Sequence, residues 1–393
     1  MATTTPNFGW TVPTSSDLVK DGAVAIETLG DSIDASLVDL KGGTTGQVLA
    51  KASNTDMDFV WANDATGTPI NKNYLINGGF AIAQRGTSFV SGANNDDAYT
   101  LDRWYILSDT NDVIDVTQDT STVPTNGQFA IALDVETANK KFGIATIIEN
   151  KDVIGLVGNT VTFSFKAKVS STTKLDNVKA AIVAWSGTAD TVTSDIISAW
   201  GAEGTNPTLI ANATYENSPA NLSVTTSYAT YSVSAAVDTA STKNLILFVW
   251  SDVTDTTAGD FLYIAESKLE LGSTATAFVY AGGTIQGELA ACQRYFQVIA
   301  VSQAWGTWYS TTDAALMAGL PVAMRVTPTI TFSTVYTNAI VEVGVTDRTP
   351  TSYQAYKTSN QAYSFLANGM TTSATVRNGA VYIGPNHLLS AEL

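Results

Sequence analysis

The residue types that perform most enzyme chemistry are scarce in this sequence. His387 is the only histidine and Cys292 the only cysteine, so any Ser–His–Asp or Cys–His arrangement depends on this one imidazole. Residues 384–389 around it have the composition of a surface turn. One histidine and one cysteine do not make a tetrahedral zinc site without carboxylates, and the phosphate-binding pattern GxxxxGK[ST] is absent. The sequence therefore predicts a protein that is not an enzyme and has no metal site.

Paired carboxylates are the one catalytic arrangement that this inventory leaves open. A glycosidase needs two of them, roughly 5–10 Å apart across a sugar. Glu266 and Glu270 are predicted to share the outer face of one strand, where a separation of four residues amounts to ~13 Å, too far for that reaction. Acidic residues from different loops could still meet in the fold, so a polysaccharide depolymerase remains an alternative function.

Two oxygen-rich segments have the composition of calcium-binding loops. One is the Asn-Asn-Asp-Asp run at residues 94–97, and the other contains Asp252, Asp255 and Asp260. Calcium prefers oxygen ligands of this kind, but neither segment has the EF-hand spacing. We interpret both as solvated turns, so no cofactor is predicted and calcium is the only one that the sequence permits.

Aromatic side chains are the candidates for ligand binding. Exposed Trp and Tyr rings stack on the apolar faces of sugars, because they offer a large area with fixed geometry. Three such residues cluster within five positions in the C-terminal region, and another lies in a long irregular stretch. The alternative is that these rings pack in the core or between subunits. The candidates are Trp200, Trp305, Trp308, Tyr309, Tyr353 and Tyr356.

Composition narrows the classes of partner. Only 14% of the 393 residues are charged, and 36 acidic against 20 basic residues give a net charge of −16. Such a chain repels phosphate backbones, so nucleic-acid binding is not expected. No window approaches the ~20 apolar residues of a membrane-spanning helix, and the first residues lack the layout of a signal peptide. We expect synthesis in the cytoplasm and no membrane insertion.

The elements that position these residues begin with an N-terminal helix in a unit of residues 1–70. Thr14 and Asp17 are predicted to cap a helix that starts near Leu18 and ends before Gly42. Apolar residues recur along it at a seven-residue spacing, with two more beside them: Val19, Ile26, Leu29, Ile33, Leu37 and Leu40. This seam predicts a parallel bundle between copies of the chain. The alternative is that the helix lies on its own domain.

Residues 71–283 are predicted to form a jelly-roll β-sandwich. Residues 161–169 and 231–237 alternate apolar and polar positions, as half-buried strands do. Residues 180–185 and 245–250 are continuous apolar runs, which suit central strands. Loops rather than helices separate these segments. Residues 188–227 are interpreted as a surface excursion, and Asn126-Gly127 as a tight turn.

The remaining chain is predicted as a linking helix at residues 284–299 and a β-rich tip domain at residues 300–393. Thr284 is the expected helix cap, and Cys292 lies on the apolar stripe, where it acts as a small buried hydrophobe. Strands are expected at residues 329–332 and 339–345. The fold class is therefore mostly β, with short helices.

Three blocks of sequence resemble one protein family. The first is NGGFAIAQRGTSFVSGANNDDAYTLDRW at residues 77–104, read from its residues as a first strand, a polar loop and a second strand at a sandwich edge. The second runs from residue 269 to 296, and the third from residue 43 to 61. The first two resemble the opening and closing of β-sandwich modules in bacteriophage tail-fibre and other virion-attached fibre proteins. The third resembles the adaptor segment of such fibres.

This resemblance implies a structural protein of the phage particle. A homotrimer would attach to tail, baseplate or head proteins through residues 1–70 and bind a host surface glycan or protein with its distal β domains. A head- or collar-attached spacer fibre without a receptor is the first alternative, and a depolymerase tailspike is the second. The expected location is the virion, after synthesis in the host cytoplasm.

Overall fold

The computed structural model describes residues 3–44, 47–63, 72–299, 304–332, 340–342, 347–370, 374–382, 384 and 386–393. The chain divides into two compact units, Met1–Ile70 and Asn71–Leu393. Among the helices in these ranges, none is long and apolar enough to cross a membrane.

The N-terminal unit contains the predicted helix. Gly22–Leu37 forms helix α1, with a 3₁₀ turn at each end, Val19–Asp21 and Val38–Leu40. The reciprocal hydrogen bond of the predicted capping box is present, since the backbone N–H of Thr14 donates to the Asp17 carboxylate at 2.7 Å. The first helical turn begins only at Val19, and its N-cap residue Leu18 provides no side-chain cap.

Two hairpins accompany α1. The predicted pair of short strands around residues 53–58 is confirmed, and Trp10 Nε1 in the first hairpin donates to Ser36 Oγ of α1 at 3.0 Å. No residue of α1 is buried; Val19 and Ile26 are 96% and 64% exposed, and Leu29 and Ile33 are half-buried. The described residues of its own unit therefore cover this seam only in part. The strands are β1 (Thr3–Thr4), β2 (Thr11–Val12), β3 (Gln47–Lys51) and β4 (Phe59–Asn63).

The second unit is built on a β-sandwich, as predicted. Its sheets have the orders β15-β10-β17-β8-β7-β5 and β14-β11-β16-β9-β6, and all neighbouring strands are antiparallel. The alternating Val161, Phe163 and Phe165 point into the core between them. The elements are β5 (Ser88–Phe89), β6 (Tyr105–Ser108), β7 (Ile114–Asp119), β8 (Ala130–Val135), β9 (Phe142–Ile148), α2 (Asn150–Val153), β10 (Thr160–Val169), β11 (Val178–Trp185), β12 (Ile197–Ala199), β13 (Thr208–Leu209), β14 (Ala213–Tyr215), β15 (Ala229–Ala236), β16 (Asn244–Ser251) and β17 (Phe261–Leu271).

Part of residues 188–227 covers the outer face of the five-stranded sheet, where Val192, Ile196 and Trp200 are buried. β14 joins that sheet as its edge strand, so the interpretation of the whole stretch as a surface excursion is corrected. Trp200 is nearly buried and meets the Phe248 ring edge-on at 6.0 Å. Beneath the same segment, Asp252 forms ion pairs with Lys141 and Lys179. All three charged side chains are buried, and the two lysines also donate to oxygens of residues 202–206. This buried ion triad ties the segment to the sheet.

The segment from residue 77 does not begin with the predicted strand. Asn77 has a positive φ of 58°, as its turn signal indicates. The residues after it are held by hydrogen bonds of the Asn77 side chain instead of by pairing with a neighbouring strand. The Asn77 amide donates to the carbonyls of Ile82 and Asp102 at 2.9 Å each and accepts from Ile82 N–H. Asn77 and Phe80 are fully buried, so residues 77–82 form an ordered inner loop. The predicted second strand is present as β6, at the edge of the five-stranded sheet.

A short helix and two further sheets complete the second unit. Thr284 accepts from Gly287 N–H as the predicted cap, and Cys292 is buried. The helix ends earlier than predicted, because Phe296–Ile299 pairs with another strand. The sheet orders are β18-β27-β21 and β23-β22-β26-β19-β20-β25-β24. The elements are α3 (Ile285–Gln293), β18 (Phe296–Ile299), β19 (Trp305–Trp308), β20 (Ala314–Gly319), β21 (Thr329–Thr331), β22 (Ile340–Glu342), β23 (Asp347–Arg348), β24 (Ser352–Thr358), β25 (Ala362–Asn368), β26 (Gly379–Tyr382) and β27 (His387–Ser390).

Glu392 fastens the end of β27 to the sandwich. Its carboxylate forms ion pairs with Arg85, at 3.0 Å, and with Arg103. The two guanidinium groups lie 3.7 Å from the ring centres of Phe296 and Tyr295, respectively. The carboxylate and Arg103 are buried and Arg85 is partly buried. The contact joins positions that are about 300 residues apart in the chain.

Candidate functional site

A cleft opens beside β8 and β17 of the six-stranded sheet. Its volume is about 650 Å³. One wall is the turn before β8, and the other is the segment between β17 and α3. The lining residues are Gly79, Asn126, Gly127, Gln128, Phe129, Glu266, Ala277, Phe278, Tyr280 and Ile285.

A β-bulge in β17 directs the only carboxylate among the described lining residues. The register between β10 and β17 shifts between Ser164 and Lys166, and Glu266 has a positive φ of 48°. Bulges re-aim side chains in this way. Glu266 Oε2 lies 2.8 Å from Lys166 Nζ, and both side chains remain partly exposed. The carboxylate is thus held at the cleft with its charge balanced.

Glu266 and Glu270, which were predicted to share one exposed face, differ in burial. Glu270 is buried, forms an ion pair with Lys268 at 3.0 Å, and accepts from Thr276 N–H at 2.8 Å. The charged outer face predicted for this strand is therefore wrong at Lys268 and Glu270, because the residues after β17 fold back over them.

Two glycines of the first sequence block shape the back of the cleft. Ser267 N–H donates to the Gly78 carbonyl at 2.8 Å, and a Cβ on Gly78 would lie 1.9 Å from the Ser267 carbonyl oxygen. A Cβ on Gly79 would lie 2.9 Å from the Tyr280 ring and 3.0 Å from the Phe278 ring. Only glycine permits this approach. The first and second sequence blocks therefore pack against each other at the cleft.

A buried glutamate anchors the aromatic wall of the cleft. Glu288, in the first turn of α3, accepts from Gly282 N–H at 2.7 Å and from Asn77 N–H. Burial raises the pKa of its carboxyl, against the opposing effect of these two hydrogen bonds. The segment it anchors carries Phe278 and Tyr280, whose rings meet edge-to-face at 5.3 Å. The aromatic wall is thereby fixed relative to the turn at Asn77.

The cleft combines groups that recognise sugars. Phe278, Tyr280 and Phe129 provide aromatic surface, and the amides of Asn126 and Gln128 provide donors and acceptors. Ligand sites characteristically combine an apolar lining with a few convergent polar groups. Sugar cleavage by the usual mechanism needs two facing carboxylates, whereas the described lining contains one.

The structure separates the aromatic residues singled out from the sequence. Trp305, Tyr309 and Tyr356 are exposed, so their predicted role in receptor binding remains open. Trp308 is fully buried in the core under the seven-stranded sheet, and Trp200 is nearly buried in the sandwich. Tyr353 is half-buried against Phe365 and other rings. In this chain, the predicted cluster of three neighbouring rings is split by strand alternation.

His387 does not lie in a surface turn, as its neighbours suggested. It is fully buried in β27, where its Nδ1 shares a hydrogen bond with the Tyr363 hydroxyl. Aromatic rings surround it, including those of Tyr382 and Phe365, at 4.6 and 4.9 Å. Burial lowers the pKa of His387 to about 4. The imidazole is therefore a neutral member of the core.

The two oxygen-rich segments are engaged in internal contacts. The Asn94 side-chain amide donates to the carboxylates of Asp112 and Asp115 at 2.8 and 2.9 Å, and Asp96 accepts from Ser108 N–H at 2.7 Å. Asp252 is paired with two buried lysines. Within the part of the chain that the structure describes, no group of three or more His, Cys, Asp or Glu residues is arranged to hold a metal ion.

Comparisons with known proteins give only distant likenesses. No family model and no curated protein matches the chain. A bacteriophage CBA120 tailspike protein 4 enzymatically active domain aligns with 51% of this chain and 21% of its own length, at 14% identity and a TM-score of 0.30. A carbohydrate-binding module described as CBM4 aligns with 50% of this chain and 98% of its own length, at 13% identity and a TM-score of 0.27. TmCBM61 in complex with β-1,4-galactotriose aligns with 51% of this chain and 99% of its own length, at 13% identity and a TM-score of 0.26. Overlaps this low do not define a family or a ligand.

None of the aromatic residues singled out from the sequence lines this cleft. Phe278 lies inside the second block and Gly79 inside the first, so the blocks that carry the resemblance mark the position. The Asn126-Gly127 turn marks one wall. The sequence did not indicate the bulge at Glu266, because the apolar–polar alternation of its strand continues through that position without a break.

Proposed function

We propose that this chain is a structural fibre protein of a phage particle and that its cleft binds a neutral glycan of the host surface. The observation that carries glycan binding is the cleft itself, where Phe278 and Tyr280 form an aromatic wall opposite Glu266 and two amide side chains. The virion assignment is supported by the three sequence blocks that resemble fibre proteins.

The preference for a neutral glycan follows from charge. Glu266 lines the cleft and forms an ion pair with Lys166 at 2.8 Å, so its carboxylate can accept a hydrogen bond from a sugar hydroxyl. An anionic sugar would meet Glu266 in a chain of net charge −16, and like charges disfavour binding. Neutral hydroxyl groups suit the pair best.

The N-terminal unit is proposed to attach the fibre to tail, baseplate or head proteins and to join three copies of the chain. The exposed seam supports self-association, because its residues recur at a seven-residue spacing and none is buried within the unit. Copies multiply weak glycan contacts by avidity. Light scattering of the purified chain should give three chain masses, and single chains at micromolar concentration would contradict the proposal.

Glycan binding is tested first on a glycan array and then by titration calorimetry with the glycan that binds. Tyr280→Ala should weaken binding by ~10-fold or more, since removal of an aromatic contact costs about 1.5 kcal/mol. Glu266→Gln should weaken glycan binding as well, because the variant loses both the charged acceptor and its ion pair with Lys166. Unfolding temperatures are compared to confirm that both variants fold.

Trp305→Ala is the parallel variant, because it tests the predicted receptor residues on the exposed sheet. Unchanged affinity there, with loss in Tyr280→Ala, assigns the glycan to the cleft; the reverse pattern moves the site to the tip and refutes the cleft. Binding of no glycan by the wild type refutes the whole proposal. Incubation with the bound polysaccharide should release no reducing sugar, and sustained release would establish the depolymerase alternative instead.

A further inference from the structure

Glu266 has a backbone conformation that is unusual inside a β-strand. At the bulge, two residues of β17, Glu266 and Ser267, lie opposite Phe165 alone on β10. The φ of Glu266 is 48°, in the left-handed region that residues with a Cβ rarely adopt. Among the described residues, Glu266 is the only non-glycine residue within a strand that has a positive φ. One class of bulge has a glycine in this conformation at its first position, so a glutamate stands here where glycine would be unstrained.

The bulge is fixed from outside the sheet. The N–H of Ser267 donates to the Gly78 carbonyl at 2.8 Å, and the Ser267 carbonyl accepts from the Asn73 side-chain amide at 3.2 Å. The N–H of Leu269 donates to the amide oxygen of Asn73 at 3.0 Å. These bonds use only the backbone of β17, and Asn73 and Ser267 are buried. The surrounding structure therefore holds the strained conformation whatever side chain residue 266 carries.

The Glu266 side chain itself contributes little to the core. It is 22% exposed, and its Oε2 lies 2.8 Å from Nζ of Lys166, which is 30% exposed. A partly exposed ion pair of this kind adds little to the stability of a fold. The same carboxylate lines the cleft together with Phe278 and Tyr280. Because strained residues are concentrated at functional sites, a role in the cleft accounts for glutamate at this position.

A carboxylate recognises hydrogen-bond donors only. It offers about four lone-pair positions and no hydrogen, and the contact with Lys166 leaves positions free for a ligand. The donors of a neutral glycan are chiefly its hydroxyl groups. Because hydrogen bonds to a charged acceptor are stronger than those between neutral groups, a glycan that lacks the contacted hydroxyl loses more affinity here than at the amides of Asn126 or Gln128.

We infer that Glu266 is the specificity-determining residue of the cleft and that it discriminates between glycans by the hydroxyl group at one ring position. This role rests on the proposed glycan binding, to which it adds the residue and the sugar group that decide specificity. The fixed bulge directs the carboxylate to the cleft before a ligand arrives, so binding does not have to order it. Glu266→Gly would relieve the strain and remove this recognition.

The strain is tested without any ligand. Alanine in the left-handed region is destabilised relative to glycine, whereas glycine destabilises an ordinary strand position. Glu266→Gly should therefore unfold ~1–2 °C above Glu266→Ala. Ser232 is the matched control, because it is an exposed position on β15 of the same sheet. There, Ser232→Gly should unfold below Ser232→Ala, and calorimetry measures all four unfolding temperatures.

The recognition is tested by titration calorimetry with the neutral oligosaccharide that binds best on the glycan array, and with its monodeoxy analogues. In the wild type, loss of one particular hydroxyl should weaken binding ~10-fold or more, as expected for a hydrogen bond to a charged group. Glu266→Gly should weaken binding of the parent oligosaccharide by a similar factor, and removal of the same hydroxyl should then change the affinity less than ~2-fold. Ser232→Gly should bind every compound as the wild type does.

The outcomes separate this role from glycan binding itself. If the wild type binds no oligosaccharide, the proposed function and this role fail together. If the oligosaccharide binds the wild type and Glu266→Gly equally, or each deoxy analogue loses the same factor in both proteins, glycan binding stands and the role of Glu266 is refuted. If Glu266→Gly unfolds below Glu266→Ala, position 266 is not strained, which also overturns the inference.

Discussion

Replacement of Asp252 by asparagine tests the buried ion triad of the sandwich. The variant keeps the shape of the side chain but leaves the ammonium groups of Lys141 and Lys179 without their shared carboxylate. Both lysines are buried under residues 202–206. Removal of one partner from a buried ion pair costs about 3–5 kcal/mol, because an uncompensated charge remains in a medium of low polarity.

The expected change in unfolding temperature follows from the size of the unit. Residues 71–393 form one compact unit of about 320 residues. At ~2.1 cal/mol/K per residue, its unfolding entropy is ~0.7 kcal/mol/K. A loss of 3–5 kcal/mol therefore lowers the Tm by ~4–7 °C. Lys141 retains the carbonyl of Ala202 at 2.7 Å as a partner, which favours the lower part of this range.

Differential scanning calorimetry at neutral pH measures the shift, and Asp255→Asn is the matched control. Asp255 pairs with Lys174 at 3.3 Å, but both side chains are well exposed. An exposed pair contributes at most about 1 kcal/mol, so the control should lower the Tm by less than ~1.5 °C. If Asp252→Asn and Asp255→Asn shift the Tm equally, the triad does not stabilise the sandwich as argued.

Three further predictions concern the turn at the cleft and two titrating groups. Gly78→Ala should prevent native folding or lower the Tm sharply, because the new Cβ meets the Ser267 carbonyl at 1.9 Å; circular dichroism checks this, and an unchanged Tm would contradict the contact. Burial and the Asp96 and Asp195 charges raise the pKa of Asp97 to about 7. Its contribution to stability is therefore present below pH ~4 and lost as the pH rises through 7. Urea titrations between pH 5 and 8 measure the free energy of unfolding, and Asp97→Asn should remove this loss. Burial lowers the pKa of His387 to about 4, so its contribution to stability is present above pH ~6.5 and lost as the pH falls through 4. The free energies of unfolding of the wild type and of His387→Asn are compared over this range, and a constant difference between them refutes the assignment.

The regular elements were predictable because their signals are local. The seven-residue spacing from Val19 to Leu40 and the alternation at residues 161–169 correspond to a helical run and to β10. The end of α3 was placed too late, because Phe296 and Ile299 also fit a helical stripe. Pairing of Phe296 with Ser390 makes this segment a strand. Such a long-range contact cannot be predicted from a single stretch of sequence.

The candidate site was less predictable, since no local pattern contains it. Its walls come from residues 79, 126–129, 266 and 277–285. Glu266 points into the cleft only because β17 bulges at that position. Asn77 was correctly predicted as a turn residue, whereas the hydrogen bonds of its side chain to Ile82 and Asp102 required the folded chain.

The buried contact of Glu392 with Arg85 and Arg103 has a consequence for how the chain reaches its native state. Closing it brings together positions separated by 307 and 289 residues. Contacts of such high sequence separation slow folding, because a long loop must be ordered before any stabilisation is gained. During synthesis, the two arginines emerge from the ribosome long before their carboxylate. The contact of both arginines with this carboxylate cannot form until residue 392 has been synthesised, so this part of the packing is completed late.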